Sequence, residues 1–209
     1  MQTRSLELQN THTLMQIKSF CFNPYSQCTY LVYERDQALL IDAGMYSDTE
    51  QERLRAFLSA MHLRPVGVLI THTHPDHVCG LRQLCRDYPL QPVIFPAEGA
   101  LDLPEPFRIR AIRTPGHKED CVCYLLENTV SLVDERPFAD DSESYPPILF
   151  SGDTLFRESV GRTDLQGGDM FLLQQSLQRL CDLPDNTFVL PGHGAPTTIG
   201  HERRFNPWL

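Results

Sequence analysis

Three histidines and an aspartate crowd into the stretch THTHPDH, as His72, His74, Asp76 and His77, directly after the apolar run VGVLI. Residues two apart in an extended segment point to one side, so His72 and His74 can converge on a single ion. Pro75 keeps His74 out of the α region and suits the opening of a helix. Asp76 and His77 are then delivered at a strand-to-helix turn, where they can face a second ion. The spacing serves two neighbouring metals better than one. A lone His after a strand is usually an ordinary polar residue, but three further segments repeat the pattern. IRTPGHKED with His117, ILFSGDTLF with Asp153 and FVLPGHGAP with His193 each end an apolar strand in a Gly-containing turn that bears a ligand-type side chain. Five of the eight histidines belong to this set, whereas His12, His62 and His201 have no comparable setting.

Five imidazoles and two carboxylates, with no thiolate, suit zinc, iron or manganese. One carboxylate can bridge. Two ions roughly 3.5–4 Å apart would share a water and lower its pKa from about 15.7 to about 7, so hydrolysis is the expected chemistry.

These residues need strands to aim them. QIKSFCF, CTYLVYE, ALLIDAG and VGVLIT read as strands in the first half, and PVIF, FRIRAI, CVCYLLE, TVSLV, ILFSGD and TFVLPGHG in the second. SDTEQERLRAFLSAMHL opens with Ser47 and Glu50 in capping-box spacing, and Leu54, Phe57, Leu58 and Met61 share one helical face. Pro65 closes that unit. A second helical stretch is expected over HVCGLRQLCRDY, and a third, DMFLLQQSLQRLC, is capped by Asp169. Strands mixed with helices suggest sheet layers covered by helices. DERPFADDSESYPP, residues 134–147, is a long irregular insertion expected to be a solvated loop.

The 209 residues suit one domain, read as 15–209 behind a loose extension over 1–14, with Met15 an alternative start to Met1. A net charge of −9 works against broad binding to nucleic acid or anionic membranes. Seven cysteines without a CxxC pair disfavour a disulfide framework or zinc ribbon. No apolar run reaches transmembrane length, so a cytoplasmic protein with reduced thiols is expected, acting as a monomer or small homo-oligomer. Cys121 and Cys123 are read as packing, Arg203 and Arg204 as tail salt-bridge residues, and Trp208 as an anchor in an apolar groove.

THTHPDH matches the HxHxDH signature of the metallo-β-lactamase-fold hydrolases, and His117, Asp153 and His193 follow in that superfamily's order. The resemblance implies a four-layer αββα sandwich of α/β (α+β) class. It also implies a binuclear site, with His72, His74 and His117 on one metal, Asp76, His77 and His193 on the other, and Asp153 bridging. SGDTLFRESVGRTDLQGGD and LPGHGAPTTIGHERRFNPWL resemble the short, single-domain branch related to glyoxalase II. That implies a cytoplasmic thioesterase for S-lactoylglutathione or a related small-molecule thioester, whose carbonyl is attacked by a metal-bridging hydroxide, with Asp76 and Asp153 as catalytic carboxylates. Asp42, in LLIDAG, matches a familiar superfamily position and is read as orienting a ligand histidine, a turn-capping role being the alternative. Arg162 of GRTD is a candidate to hold a substrate carboxylate, against a buried ion pair with Asp164 that pins the loop.

Only sixteen residues follow His193, so the helical glutathione-binding domain of full-length glyoxalase II is not expected, and KEDC stands where small residues usually follow the TPGH histidine. Two competitors remain. Persulfide dioxygenases share the fold and a similar GRTD loop but use one iron, here on His72, His117 and Asp153 by analogy. A non-catalytic metal-binding protein that retains the fold is the third reading.

Overall fold

Period-two alternation of buried side chains builds two sheets that share a core. β3 (Gln37–Ile41) sends Leu39 and Ile41 into the space between the sheets and Ala38 and Leu40 to the opposite face. β8 (Val122–Leu126) does the same with Val122, Tyr124 and Leu126 inward and Cys123 and Leu125 outward. Strands buried on both faces carry no polar alternation, which is why LLI and VCYLL read as continuous apolar runs. Each fully buried Leu contributes roughly 1.5–3 kcal/mol. The computed structural model describes residues 15–128, 130–134, 136–137 and 146–209. The expected 1–14 extension and most of the 134–147 insertion lie outside the described residues.

The first sheet runs β10 (Arg136–Pro137), β9 (Val130–Val133), β1 (Met15–Phe22), β2 (Gln27–Glu34), β3, β4 (Arg64–Ile70) and β5 (Pro92–Ile94). β1, β2 and β3 form an antiparallel meander, and β4 then joins β3 in parallel. The second sheet runs β15 (Thr197–Thr198), β14 (Phe188–Pro191), β11 (Ile148–Gly152), β8, β7 (Ile109–Arg113) and β6 (Gly99–Ala100), with a small hairpin of β12 (Leu155–Phe156) and β13 (Ser159–Val160) beside it.

Helices cover the two outer faces. Leu54 and Leu58 of α1 (Asp48–Ala60), with Leu84 of α3 (Leu81–Asp87), pack on the first sheet. Leu173, Leu177 and Leu180 of α4 (Met170–Cys181), with Ile199 of α5 (Ile199–Phe205), pack on the second. The result is the expected αββα sandwich. The capping box forms at α1, where the Glu50 peptide N–H donates to Ser47 Oγ at 3.3 Å and the Ser47 N–H to Glu50 Oε2 at 3.0 Å.

Several local expectations change. Met61 is 44% exposed at the C-cap, one residue past the end of the helix that buries Leu54 and Leu58. Pro65 lies inside β4, where a register shift beside its partner Ala38 accommodates the missing N–H. The helical stretch after the histidines is two helices, α2 (Pro75–Val78) and α3, parted at Cys79–Gly80. There the Gly80 N–H donates to Ala43 O at 2.8 Å, and a Cβ on Gly80 would press on Met45. Part of the insertion is strand: Arg136 and Pro137 pair with β9, and Asp134 accepts from the Ser19 N–H at 2.7 Å.

Candidate metal centre

All seven candidate donors follow the C-terminal ends of strands: His72 to His77 after β4, His117 after β7, Asp153 after β11 and His193 after β14. His74 is the N-cap of α2, with φ −67° and ψ 146°, and Pro75 opens the helix. Because the backbone stays extended to that point, His72 Nε2 and His74 Nδ1 come within 3.0 Å, and His117 Nε2 reaches the same His74 nitrogen at 2.8 Å. The helical turn then carries Asp76 and His77 to the other side. Asp76 Oδ2 lies 3.1 Å from His193 Nε2 and 3.7 Å from His77 Nε2. Asp153 stands between the groups, Oδ1 at 3.3 Å from His77 Nε2 and Oδ2 at 3.6 Å from both His117 Nε2 and His193 Nε2. In each of the groups His72–His74–His117, His72–His77–Asp153 and Asp76–His77–His193, donor atoms lie within 4.8 Å of one another.

The outward nitrogens fix which way each ring presents its lone pair. His117 Nδ1 meets the Arg162 carbonyl at 2.7 Å and His193 Nδ1 the Tyr25 carbonyl at 3.0 Å. A carbonyl only accepts, so both Nδ1 atoms carry the proton and both Nε2 lone pairs face inward. His77 Nδ1 donates to Asp42 Oδ2 at 2.7 Å. The same carboxylate accepts from the Thr71 N–H at 2.7 Å and the Thr71 hydroxyl at 2.8 Å. With its proton given to Asp42, the Thr71 oxygen is free to accept from His72 Nδ1 at 3.2 Å. Asp42 is 1% exposed and holds φ +63°, a left-handed conformation that Asp tolerates, so its carboxylate turns back under His77. Its contact with His77 supports the orienting role over the turn cap.

Gly192 lets the last strand close on the site. A Cβ there would collide with the Asp153 carboxylate and lie 2.7 Å from the His77 ring. A 450 Å³ cleft opens over the donors, with Tyr25, Pro75 and Leu165 as its apolar wall.

The charge pattern asks for cations. Burial and then the neighbouring imidazoles hold His72 well below the usual histidine range. At His77, burial opposes protonation, but the Asp42 and Asp153 carboxylates prevail and push it up to about 10. Asp153 and Asp76 are held below the usual carboxylate range; burial opposes this, and contacts to His77 and His193 outweigh it. Even so, His77 Nε2 and Asp153 Oδ1 are buried without a hydrogen-bond partner. Orphaned buried polar atoms are costly and rare. The donor set fits divalent ions that take nitrogen and oxygen ligands.

At Arg162 the alternative reading, a buried pair with Asp164, is what the structure changes. The ion pair with Asp164 is bidentate, at 2.7 and 2.6 Å, but exposed: the side chains are 61% and 65% accessible. The side chain lines the cleft mouth while the main-chain carbonyl orients His117. Tyr25, Thr71 and the Arg162 carbonyl were not identified from sequence. The position of Thr71 between the apolar run and His72 was a usable signal for one of them, but a main-chain acceptor leaves none.

Cys123 and Cys121 are buried, and burial pushes the Cys123 thiol up to about 11, as packing residues require. Arg203 pairs with Asp185 and donates to the Leu183 carbonyl at 2.9 Å. Trp208 is 48% exposed beside Leu177 and Cys181, so the groove covers it only in part. His201 bonds Glu158 at 2.9 Å, away from the donors.

Comparison with known families matches residues 23–143 to the Metallo-beta-lactamase superfamily. The chain belongs to that superfamily. An uncharacterized protein of Mycobacterium tuberculosis is 32% identical over 210 residues, covering 86% of this chain and 91% of the relative. A hydroxyacylglutathione hydrolase of Francisella tularensis subsp. novicida is 31% identical over 192 residues, covering 86% of this chain and 68% of its own length. Among solved structures, the BLEG-1 B3 metallo-beta-lactamase superposes with a TM-score of 0.77 at 28% identity, over 92% of this chain and 99% of that one. ETHE1 from Myxococcus xanthus gives 0.73 at 27%, over 91% and 83%. TTHA1623 in a di-iron-bound form gives 0.70 at 31%, over 91% and 99%. Membership places the chain among metallo-hydrolases, with His and Asp clusters suited to divalent metal. Among the described residues no helix is long and apolar enough to cross a membrane.

Proposed function

We propose that this superfamily member is a cytoplasmic binuclear thioester hydrolase of the glyoxalase-II type, acting on S-lactoylglutathione or a related small thioester. The observation that carries the reading is the position of Asp153 between two separate donor sets, His72–His74–His117 and Asp76–His77–His193. A site for one ion would leave the second set, with its buried His77, without purpose. Similarity to the Francisella hydroxyacylglutathione hydrolase supports the thioester class, and the di-iron-bound neighbour supports two ions, with zinc, iron and manganese all admitted by the donors.

Two divalent ions held there would supply Lewis acidity at a carbonyl and a water acidified to near neutrality. The chain's own residues do the rest. Asp42, the Arg162 carbonyl and the Tyr25 carbonyl hold three rings in one tautomer and orientation. Asp76 and Asp153, kept ionised, are the groups positioned to accept and pass on a proton. Tyr25, Pro75 and Leu165 shield the acyl–sulfur region from water, and the Arg162 guanidinium at the rim favours an anionic substrate, although Asp164 neutralises much of its field.

The test pairs elemental analysis of protein purified without added metal with thiol release from S-lactoylglutathione by the same sample. Two metals per chain with turnover are expected. One iron per chain, no hydrolysis and oxygen uptake with glutathione persulfide would replace this reading with the dioxygenase on His72, His117 and Asp153. Folded, reconstituted protein without either activity would favour the non-catalytic reading.

A further inference from the structure

Cys21 and Cys28 face each other across the first hairpin, in register between β1 and β2. The Cys28 N–H points away from β1, donating to Gly192 O at 2.7 Å, and its carbonyl accepts from the Gln27 side chain at 2.9 Å. A residue whose N–H and C=O both turn away from the partner strand belongs to a non-hydrogen-bonded pair, whose Cα atoms lie about 4.5 Å apart with the side chains on one face. That separation falls inside the roughly 4.4–6.8 Å window of disulfides. Burial, and next the neighbouring Cys21 thiol, push Cys28 up to about 12, so the two sulfurs sense each other. Cys28 belongs to the intersheet core, whereas Cys21 is exposed where β1 runs on past its last pairing with β9 at Ile17. One thiol is open to solvent reagents and the other is held behind it.

We propose that Cys21 and Cys28 are a redox modification site, closing to a cross-strand disulfide on reaction with a low-molecular-weight disulfide. The Cys21 thiolate attacks one sulfur of glutathione disulfide, forming a mixed disulfide and expelling one glutathione thiolate. The Cys28 thiolate then attacks the Cys21 sulfur, the Cys21–Cys28 bond forms and the second glutathione thiolate leaves. Two cysteine thiols are oxidised, one glutathione disulfide is reduced to two thiols, and the two cysteine protons end on the glutathione sulfurs. The second step is the slower, since burial disfavours the Cys28 thiolate.

Closure reaches the metal centre through the hairpin turn. Cross-strand Cβ atoms sit roughly 4.5–5.5 Å apart, closer in non-hydrogen-bonded pairs, and a disulfide holds them at roughly 3.5–4.5 Å, so closure fixes the strands at the short end of that range beside the turn. That turn holds the second donor set: Asn23 Nδ2 donates to the Asp76 and Gly44 carbonyls at 2.9 and 3.0 Å, and the Tyr25 carbonyl holds His193. Oxidation therefore weakens the Asp76–His77–His193 set and spares His72–His74–His117, whose rings meet Thr71, one another and the Arg162 carbonyl rather than this turn. This coupling rests on the two-metal reading; the disulfide itself does not.

In the test, zinc-loaded protein is held in native buffer at graded ratios of glutathione disulfide to glutathione, blocked with N-ethylmaleimide and digested without reduction. A peptide linking residues 21 and 28 is expected in the native chain and in neither Cys21→Ser nor Cys28→Ser, the latter stopping at a Cys21–glutathione mixed disulfide. Recovery of both cysteines alkylated, or a persistent mixed disulfide on the native chain, would overturn the site. Zinc retained after dialysis should fall by about one equivalent on oxidation of the native chain and stay constant in Cys21→Ser. A complete linkage with zinc unchanged would overturn the coupling alone. Reduced protein that never binds two zinc ions would sink both the coupling and the two-metal reading, while the linkage result would stand.

Discussion

Two carboxylate pairs of nearly equal length flank the centre and differ in everything else. Asp42 and His77 meet at 2.7 Å, with the carboxylate 1% exposed and the imidazole fully buried, while Arg162 and Asp164 meet at 2.7 and 2.6 Å with most of both side chains in water. Water screens the second pair and offers each partner an alternative, so such pairs contribute little to stability. The first pair is shut away from water, and losing one member leaves the other buried without its charged partner. Bond length therefore says little about worth; the surroundings decide it. In the Arg162 loop the influential atom is the carbonyl that orients His117.

The largest effect that can test this contrast lies at the point both donor sets share. Asp153→Ala is expected to remove both metals and reduce turnover to that of chelator-treated protein, measured by elemental analysis and thiol release; loss of only one metal would show that the sets are independent. Next comes Asp42→Ala. Without its carboxylate, His77 loses its orientation, metal affinity should fall about 10–100-fold, and the fold should lose roughly 3–5 kcal/mol of stability by denaturant titration. If it resembles Arg162→Ala instead, burial is not what separates the two pairs.

A pH series on metal-stripped protein gives the third effect. The folded-state pKa of His77 is raised from 6.5 to about 10, so its contribution to stability is fully present below about pH 6.5 and is lost as pH rises through about 10. Melting temperature of the stripped protein should therefore decline between those values, and Asp42→Asn should flatten the decline; a flat native profile would contradict the charge assignment at His77. The smallest effect belongs to Arg162→Ala. Melting temperature should match that of the native chain, metal content should stay the same because the carbonyl at 162 remains, and only KM for an anionic thioester should rise. Loss of metal in this variant would show that the exposed pair steers the loop after all.

Much of this protein could be read in advance because its signals are local. Extended backbone before Pro75 brings His72 and His74 together, a capping box starts α1, and unbroken apolar runs mark strands buried on both faces. What escaped depended on packing between distant segments. Glu202 of α5 is fully buried and accepts from the Glu158 N–H at 2.8 Å and Asn206 Nδ2 at 2.8 Å, which ties the β12–β13 hairpin to the last helix. Nothing in the pattern IGHERRF separates that acid from a solvated one. The helix break at Gly80 likewise answers to Met45, thirty-five residues away in sequence.

The identity of the seven candidate donors and the chemistry they suit were determined by sequence, because ligand atoms belong to side-chain types and their spacing in extended or helical backbone follows from local geometry. How near the donors approach one another, which nitrogen each ring presents and which ring the Asp42 carboxylate stands behind were decided only by the tertiary structure. Those facts depend on main-chain carbonyls from Tyr25 and Arg162 and on the fold of Asp42 beneath β4, and a carbonyl is the same atom at every residue until the chain is folded.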